Sequence, residues 1–144
     1  EKNANFTGAI MHGYTYSGHP VACAAALACL DIVVKEDLPA NAAKMGDYML
    51  DKLLPFVERF DTVGEVRGKG LMLALDLVAD KTTREPIDPM SGYANQVAQI
   101  ARDNGVMVRP VGTKIILSPP LVIQQAQADA IVDALAEGLS KARR

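Results

Sequence analysis

Residues 12–20 read HGYTYSGHP and hold both histidines of the chain, two tyrosines, a threonine, a serine and two glycines. An alanine-rich apolar run, VACAAALACLDIVV, follows at once. A polar turn feeding a helix start offers unpaired backbone N–H groups, the positive end of the helix dipole and hydroxyls, a combination suited to a phosphate. Thr15 adds a side-chain donor, and Gly13 and Gly18 let backbone approach a ligand closely. The same residue types also make an ordinary capped turn plugged by aromatic rings, so both readings stand at this level. Arg109, in VMVRPVG, is the second candidate. Val108 and Val111 flank it, and a guanidinium in apolar surroundings needs a carboxylate or phosphate partner. It forks around a ligand carboxylate, sits in a structural ion pair, or points from an edge strand into water. Arg67 precedes Gly68 and Gly70, which could bring backbone near a ligand, but a bulge accounts for them and Arg67 is read as structural. His12 and His19 have no orienting acid nearby in sequence, so structural hydrogen bonding is expected of both rather than general-base work. Two histidines and two cysteines give no cluster at metal-ligand spacing.

The elements that would position these residues follow from periodicity and punctuation. A first helix should begin at Pro20, capped by Ser17 or His19, and run to about Lys35. A second should start near Asp37 as N-cap, with Pro39 in its first turn. Met45, Met49, Leu53, Phe56, Val57 and Phe60 recur at helical intervals, and Pro55 should kink this helix or end its regular part. VGEVRGKGLMLALDLV reads as strand material with a bulge or bend at Arg67–Gly70. Leu71–Val78 is expected to be buried on both faces. KTTREPIDPMSG reads as a loop. A third helix, roughly Tyr93–Asp103, should end at Asn104-Gly105. Two short strands should form a hairpin around Gly112. The last helix, roughly Gln125–Ala142, presents Ile131, Leu135 and Leu139 on one face, with a poorly written N-cap. The expected architecture is an α/β (locally α+β) sandwich in which helices cover a small, mostly antiparallel sheet.

Composition narrows the class. The 144 residues are 49% apolar and 22% charged, with a net charge of −2, which suits one soluble core and gives no basic field for nucleic acid or an anionic membrane. The apolar stretches Val21–Val34 and Leu71–Ala79 are broken by Asp31 and Asp76, and neither is long enough to span a bilayer. Cys23 and Cys29 would lie about 120° apart on one helix and could not bridge while it stands. They are expected to be buried small hydrophobes in a reducing cytoplasm. The opening EKNANFTGAIM has no initiator methionine and suggests part of a longer protein.

Three blocks, HGYTYSGHPVACAAALA, GEVRGKGLMLALDLV and NGVMVRPVGTKIILSPPLVI, come in the order and at the spacing of one family. The chain resembles the C-terminal part of a class III (omega) aminotransferase, a pyridoxal 5′-phosphate enzyme of fold type I. Within that family it is most similar to enzymes that move an amino group between an omega-amino acid or amine and pyruvate. The resemblance implies that residues 1–36 are the end of the large cofactor domain and the linking helix, and 37–144 the small C-terminal domain. It implies that Thr15, with Tyr14 as backbone neighbour, holds the cofactor phosphate of a partner subunit in a homodimer or tetramer. It also implies that Arg109 is the mobile arginine that pairs with a substrate carboxylate and swings aside for an uncharged amine. The family's Schiff-base lysine, the acid paired with the pyridine nitrogen and the ring-stacking aromatic all lie upstream. The lysines here, at 2, 35, 44, 52, 69, 81, 114 and 141, stand in no matching context. The chain alone is therefore expected to be inactive, and to expose apolar surface without the missing N-terminal portion. Other class III chemistry, a decarboxylase or an aminomutase, shares the phosphate turn. A stand-alone α/β binding domain without catalysis is the reading from outside the family.

Overall fold

The computed structural model of the protein describes residues 12–143; of the expected first unit, residues 1–11 lie outside that range. The chain divides into two compact units, Glu1–Glu36 and Asp37–Arg144. Among its described residues the first contributes one helix, α1 (Pro20–Lys35), which begins at the proline as expected and buries none of its residues.

In the second unit, period-two patterning builds the sheet. Strands β1 (Val63–Lys69) and β2 (Met72–Asp80) form an antiparallel hairpin with Lys69 opposite Met72. The two-residue turn between them places Gly70 at φ 53°, a conformation with little cost only for glycine. Strands β3 (Glu85–Pro86), β4 (Arg109–Val111) and β5 (Lys114–Leu117) complete a five-stranded sheet of order β1-β2-β5-β4, with β3 paired to β2. Every pairing is antiparallel. The β4–β5 turn centres on Gly112, at φ 57°, as the sequence suggests.

Four helices accompany the sheet in this unit: α2 (Leu38–Leu53), α3 (Phe56–Arg59), α4 (Tyr93–Asp103) and α5 (Gln125–Lys141). Their apolar stripes meet the inward sheet residues in one cluster that includes Met49, Leu53, Leu75, Leu77, Val97, Ile115 and Leu135. Pro55 separates α2 from α3, because its ring and missing N–H stop the helical ladder. α4 ends at Asn104-Gly105, where Gly105 takes φ 81° and Val106 N–H donates to the Ala101 carbonyl at 2.9 Å. Packing is close enough to require glycine: a Cβ on Gly46 of α2 would fall 2.2 Å from the Gly70 carbonyl oxygen. Tyr93, 2% exposed, satisfies its hydroxyl on Thr62 Oγ1 at 2.9 Å and reaches the Leu139 carbonyl at 3.4 Å.

Several expectations are corrected. β2 is not buried on both faces: Leu73, Leu75 and Leu77 face the core, whereas Met72 is exposed and Ala74 and Asp76 are half-buried. The helices cover one face, so alternation rules. Of the bulge or bend expected at Arg67–Gly70, the bend is present as the turn that begins at Gly70, whereas the bulge lies at Gly64, between Val63 and Glu65. Asp37 is the N-cap of α2 but makes no side-chain cap bond, since it takes a left-handed φ of 48° and only its carbonyl is engaged. The stretch read as a loop contains β3 and a single 3₁₀ turn, Pro89–Ser91, capped by Asp88 accepting from Met90 N–H at 2.8 Å. The start of α5 is better written than expected: Gln127 Oε1 accepts from Gln124 N–H at 3.0 Å. Cys23 and Cys29 are free, as expected, but exposed rather than buried, because α1 buries no residue.

Candidate functional site

The polar turn before α1 is two overlapping reverse turns. Ser17 N–H donates to the Tyr14 carbonyl at 2.9 Å and His19 N–H to the Tyr16 carbonyl at 3.1 Å, with Gly18 at φ 77°. Ser17 does not cap the helix; its hydroxyl accepts from Tyr14 N–H at 2.9 Å. His19 is the N-cap residue without a side-chain bond, and its carbonyl accepts from Cys23 N–H at 2.9 Å. Among the described residues the histidine side chains make ring contacts and not the expected hydrogen bonds: His12 lies edge-on to Tyr14 at 5.3 Å and His19 to Tyr16 at 6.4 Å. Thr15 is exposed at the crest, and neither its hydroxyl nor its N–H has a partner among the described residues. The turn thus holds its shape through Tyr14, Ser17 and Gly18, and leaves Thr15 uncommitted at a helix start.

Arg109 belongs to the second unit, where it opens the edge strand β4. It is exposed and has no carboxylate partner among the described residues. Of the readings open at the sequence level, the structural ion pair is therefore removed. Arg109 lies on the wall of an open cavity of about 1000 Å³, together with Arg102, Met107, Ile116, Pro119 and Ile131. No aspartate or glutamate lines this cavity. It therefore combines apolar walls with guanidinium groups, and an acid carrying a small apolar body suits that environment.

Across the sheet the chemistry differs. Arg67 forks onto Asp76: Nη1 donates to Oδ2, and Nη2 lies 3.3 Å from Oδ1. Glu65 adds a contact at 3.3 Å and Lys114 meets Asp76 at 3.5 Å. Hydrogen bonding to Asp76 holds the Arg67 guanidinium further above its ordinary pKa. Arg67 is thus structural, as read from sequence. Its partners Asp76 and Lys114 were not singled out there, although their spacing along the two strands places them on the same face. Among the described residues no three metal-ligating side chains cluster, and no helix is long and apolar enough to cross a membrane.

Comparison with known proteins fits this arrangement. Residues 2–139 match the family model for class III aminotransferases. An uncharacterized aminotransferase of Sinorhizobium fredii is 45% identical over 139 residues, covering 95% of this chain and 30% of its own length. The structure of an amine transaminase from an uncultivated Pseudomonas species, in its PLP-bound internal aldimine form, superposes with a TM-score of 0.89 at 60% identity, over 93% of this chain and 30% of that one. An (S)-enantioselective omega-transaminase from Thermomicrobium roseum superposes with a TM-score of 0.84 at 43% identity, over 95% of this chain and 30% of that one. The chain spans about 30% of the length of these relatives. Its mixed helices and antiparallel sheet are those of a fold-type I transaminase segment. From its polar turn to its last helix, the chain belongs to the class III aminotransferase family.

Proposed function

We propose that this chain is the C-terminal part of an aminotransferase that moves an amino group from an omega-amino acid or amine to a keto acid such as pyruvate, by a ping-pong route. The family match across residues 2–139 carries this reading. Pyridoxal 5′-phosphate is the family's cofactor, and when bound it supplies the electron sink for chemistry at the substrate's amine-bearing carbon. Residues 1–36 are then the end of the large cofactor domain and the linking helix, and 37–144 the small C-terminal domain. The division of the chain between Glu36 and Asp37 supports that assignment.

Thr15 holds the cofactor phosphate of a partner subunit in a homodimer or tetramer. Its uncommitted hydroxyl and N–H fit a phosphate oxygen, and the dipole of α1 adds favourable potential. Tyr14 contributes as a neighbour that fixes the turn, because its own N–H is already given to Ser17. Arg109 pairs with the substrate carboxylate at the acid-free cavity. An unpaired arginine on an edge strand can turn toward solvent without breaking an ion pair, so an uncharged amine is accommodated in the same place. Proton transfer at the substrate carbon is the work of a lysine outside this chain. Lys52, Lys81, Lys114 and Lys141 are engaged with Asp129, the Val57 carbonyl, Asp76 and Glu137 respectively. None of the eight lysines of this chain stands in the family's catalytic context, so the chain alone is expected to be inactive; the whole enzyme is assigned to the cytoplasm.

The test is an intact denatured mass of the native protein after borohydride reduction, which locks a lysine–cofactor imine as a stable adduct. A species larger than 15.4 kDa carrying a pyridoxyl group is the expected result. A pyridoxyl adduct on the 15.4 kDa chain itself would overturn the assignment of the lysine to another segment.

A further inference from the structure

Arg67 and Arg109 stand at opposite ends of one row across the open sheet face, and only Arg67 is paired. Register defines the row: Arg67 opposes Ala74, Ala74 opposes Ile116, and Ile116 opposes Arg109. Residues directly opposed in a sheet project to the same face, with Cα atoms about 5 Å apart. The neighbouring row, Glu65–Asp76–Lys114–Val111, carries the carboxylates of Glu65 and Asp76. Asp76 is engaged by Arg67 and Lys114. From Arg109 it stands two strands and two residues away, about 12 Å along the diagonal. Directly opposite Arg109 across the ladder is Ile116, and two residues along its own strand is Val111; neither offers a carboxylate, and neither can accept a hydrogen bond.

We propose that Ile116, with Ala74 behind it, is a positioning residue: it keeps the Arg109 guanidinium unpaired and therefore available to a carboxylate ligand. The inference deepens the proposed function and rests on the reading of Arg109 as the carboxylate contact. Polar residues at these two positions would extend the ion-pair network of Arg67 and Asp76 across the sheet to Arg109. The apolar pair stops it two strands short. Ile116 also lines the cavity that Arg109 borders, so one side chain both withholds a partner from the arginine and presents an apolar wall to the ligand.

The test places a carboxylate where the structure withholds one. In the full-length enzyme, Ile116→Glu is expected to raise the KM for pyruvate about tenfold, the scale of one charge-assisted hydrogen bond, and to raise the KM for an uncharged amine donor less. Ile116→Gln, of similar size and no charge, offers only a neutral acceptor and is expected to raise the KM for pyruvate clearly less than Ile116→Glu. Equal effects of the two substitutions would overturn the proposal, because a merely structural role does not distinguish them. If Ile116→Glu does not fold, Val111→Glu introduces the carboxylate at an exposed neighbour of Arg109, 45% accessible, with the same expected direction. A second readout needs no activity. In the same full-length enzyme, exchange of the Arg109 Nε–H with water should slow more in Ile116→Glu than in Ile116→Gln; unchanged exchange in both overturns the proposal. Arg109→Gln separates the two readings. If it leaves the KM for pyruvate unchanged, the carboxylate contact fails, while the exchange measurement still decides the role of Ile116.

Discussion

Helices α1 and α5 are nearly equal in length, 16 and 17 residues, and opposite in how they are used. α5 is amphipathic: Ala128, Val132, Leu135 and Leu139 fall on one face and are buried, while its other face is polar. α1 is the more apolar of the two and carries that character around its whole circumference, yet Val21, Leu27, Leu30, Ile32 and Val34 are all at least half-exposed. Apolarity alone does not bury a helix; a complementary surface does. A helix that is apolar all round is suited to full burial. On the proposed reading, the surface that would bury α1 belongs to the remainder of the enzyme and its partner subunit.

The contrast is sharpest for matched truncations. Leu135→Ala should cost about 2–5 kcal/mol in urea unfolding, because the site is fully buried and a cavity remains. Leu27→Ala, at a position 65% exposed, should change stability of the isolated chain by less than about 0.5 kcal/mol. A large effect at Leu27 would show that α1 is packed in solution. Next in size is Gly46→Ala, expected to cost about 1–3 kcal/mol since its methyl meets the Gly70 backbone rather than a flexible side chain. Gly13→Ala, with open space around it, is the counterpart and should be silent in the same experiment. Tyr93→Phe should cost about 1 kcal/mol by removing the buried partner of Thr62.

The smallest effect is electrostatic. The Tyr48 hydroxyl, donating to Asp129 Oδ1 at 2.7 Å, and then Lys52 hold the Asp129 carboxyl below its ordinary pKa. A lowered folded-state pKa gives stability that is present above the unfolded value and is lost as pH falls through the folded one. Asp129→Asn should therefore flatten the acid limb of the stability profile slightly, and the comparison is chemical denaturation at pH 7 and in the acid range. A steeper acid limb in the variant would contradict the assignment.

Much of this fold is legible in the residues because punctuation is local. Pro20, Pro55, Asn104-Gly105 and Gly112 fix φ or remove an N–H at one position, and each acts as read. What was misread depends on partners. Met72 and Ala74 are as apolar as the core residues beside them, so the run from Leu71 to Val78 hides its alternation, and only the placement of the helices reveals the open face. The exposure of Cys23 and Cys29 has the same origin. The start of α5 is hard to read from residue type because Gln127 does what a glutamate usually does and no serine or threonine stands at the cap. At the candidate site, residue type identified Thr15 and Arg109 as candidates. That Arg109 stands opposite Ile116, with no carboxylate partner among the described residues, depends on strand register, which no single residue encodes.

The open side of the sheet has a safeguard against misuse. β4 is an edge strand of three residues with Pro110 at its centre, half-buried and opposite Ile115. A foreign strand laid along that edge would find no N–H at the middle position and too few residues for a stable ladder. Sheet-to-sheet growth is thus discouraged at this edge even when the chain stands alone. Beside this protected edge, the exposed apolar residues of the helix before Glu36 are the greater liability, and a solubilising substitution there rather than in β4 is the one to choose.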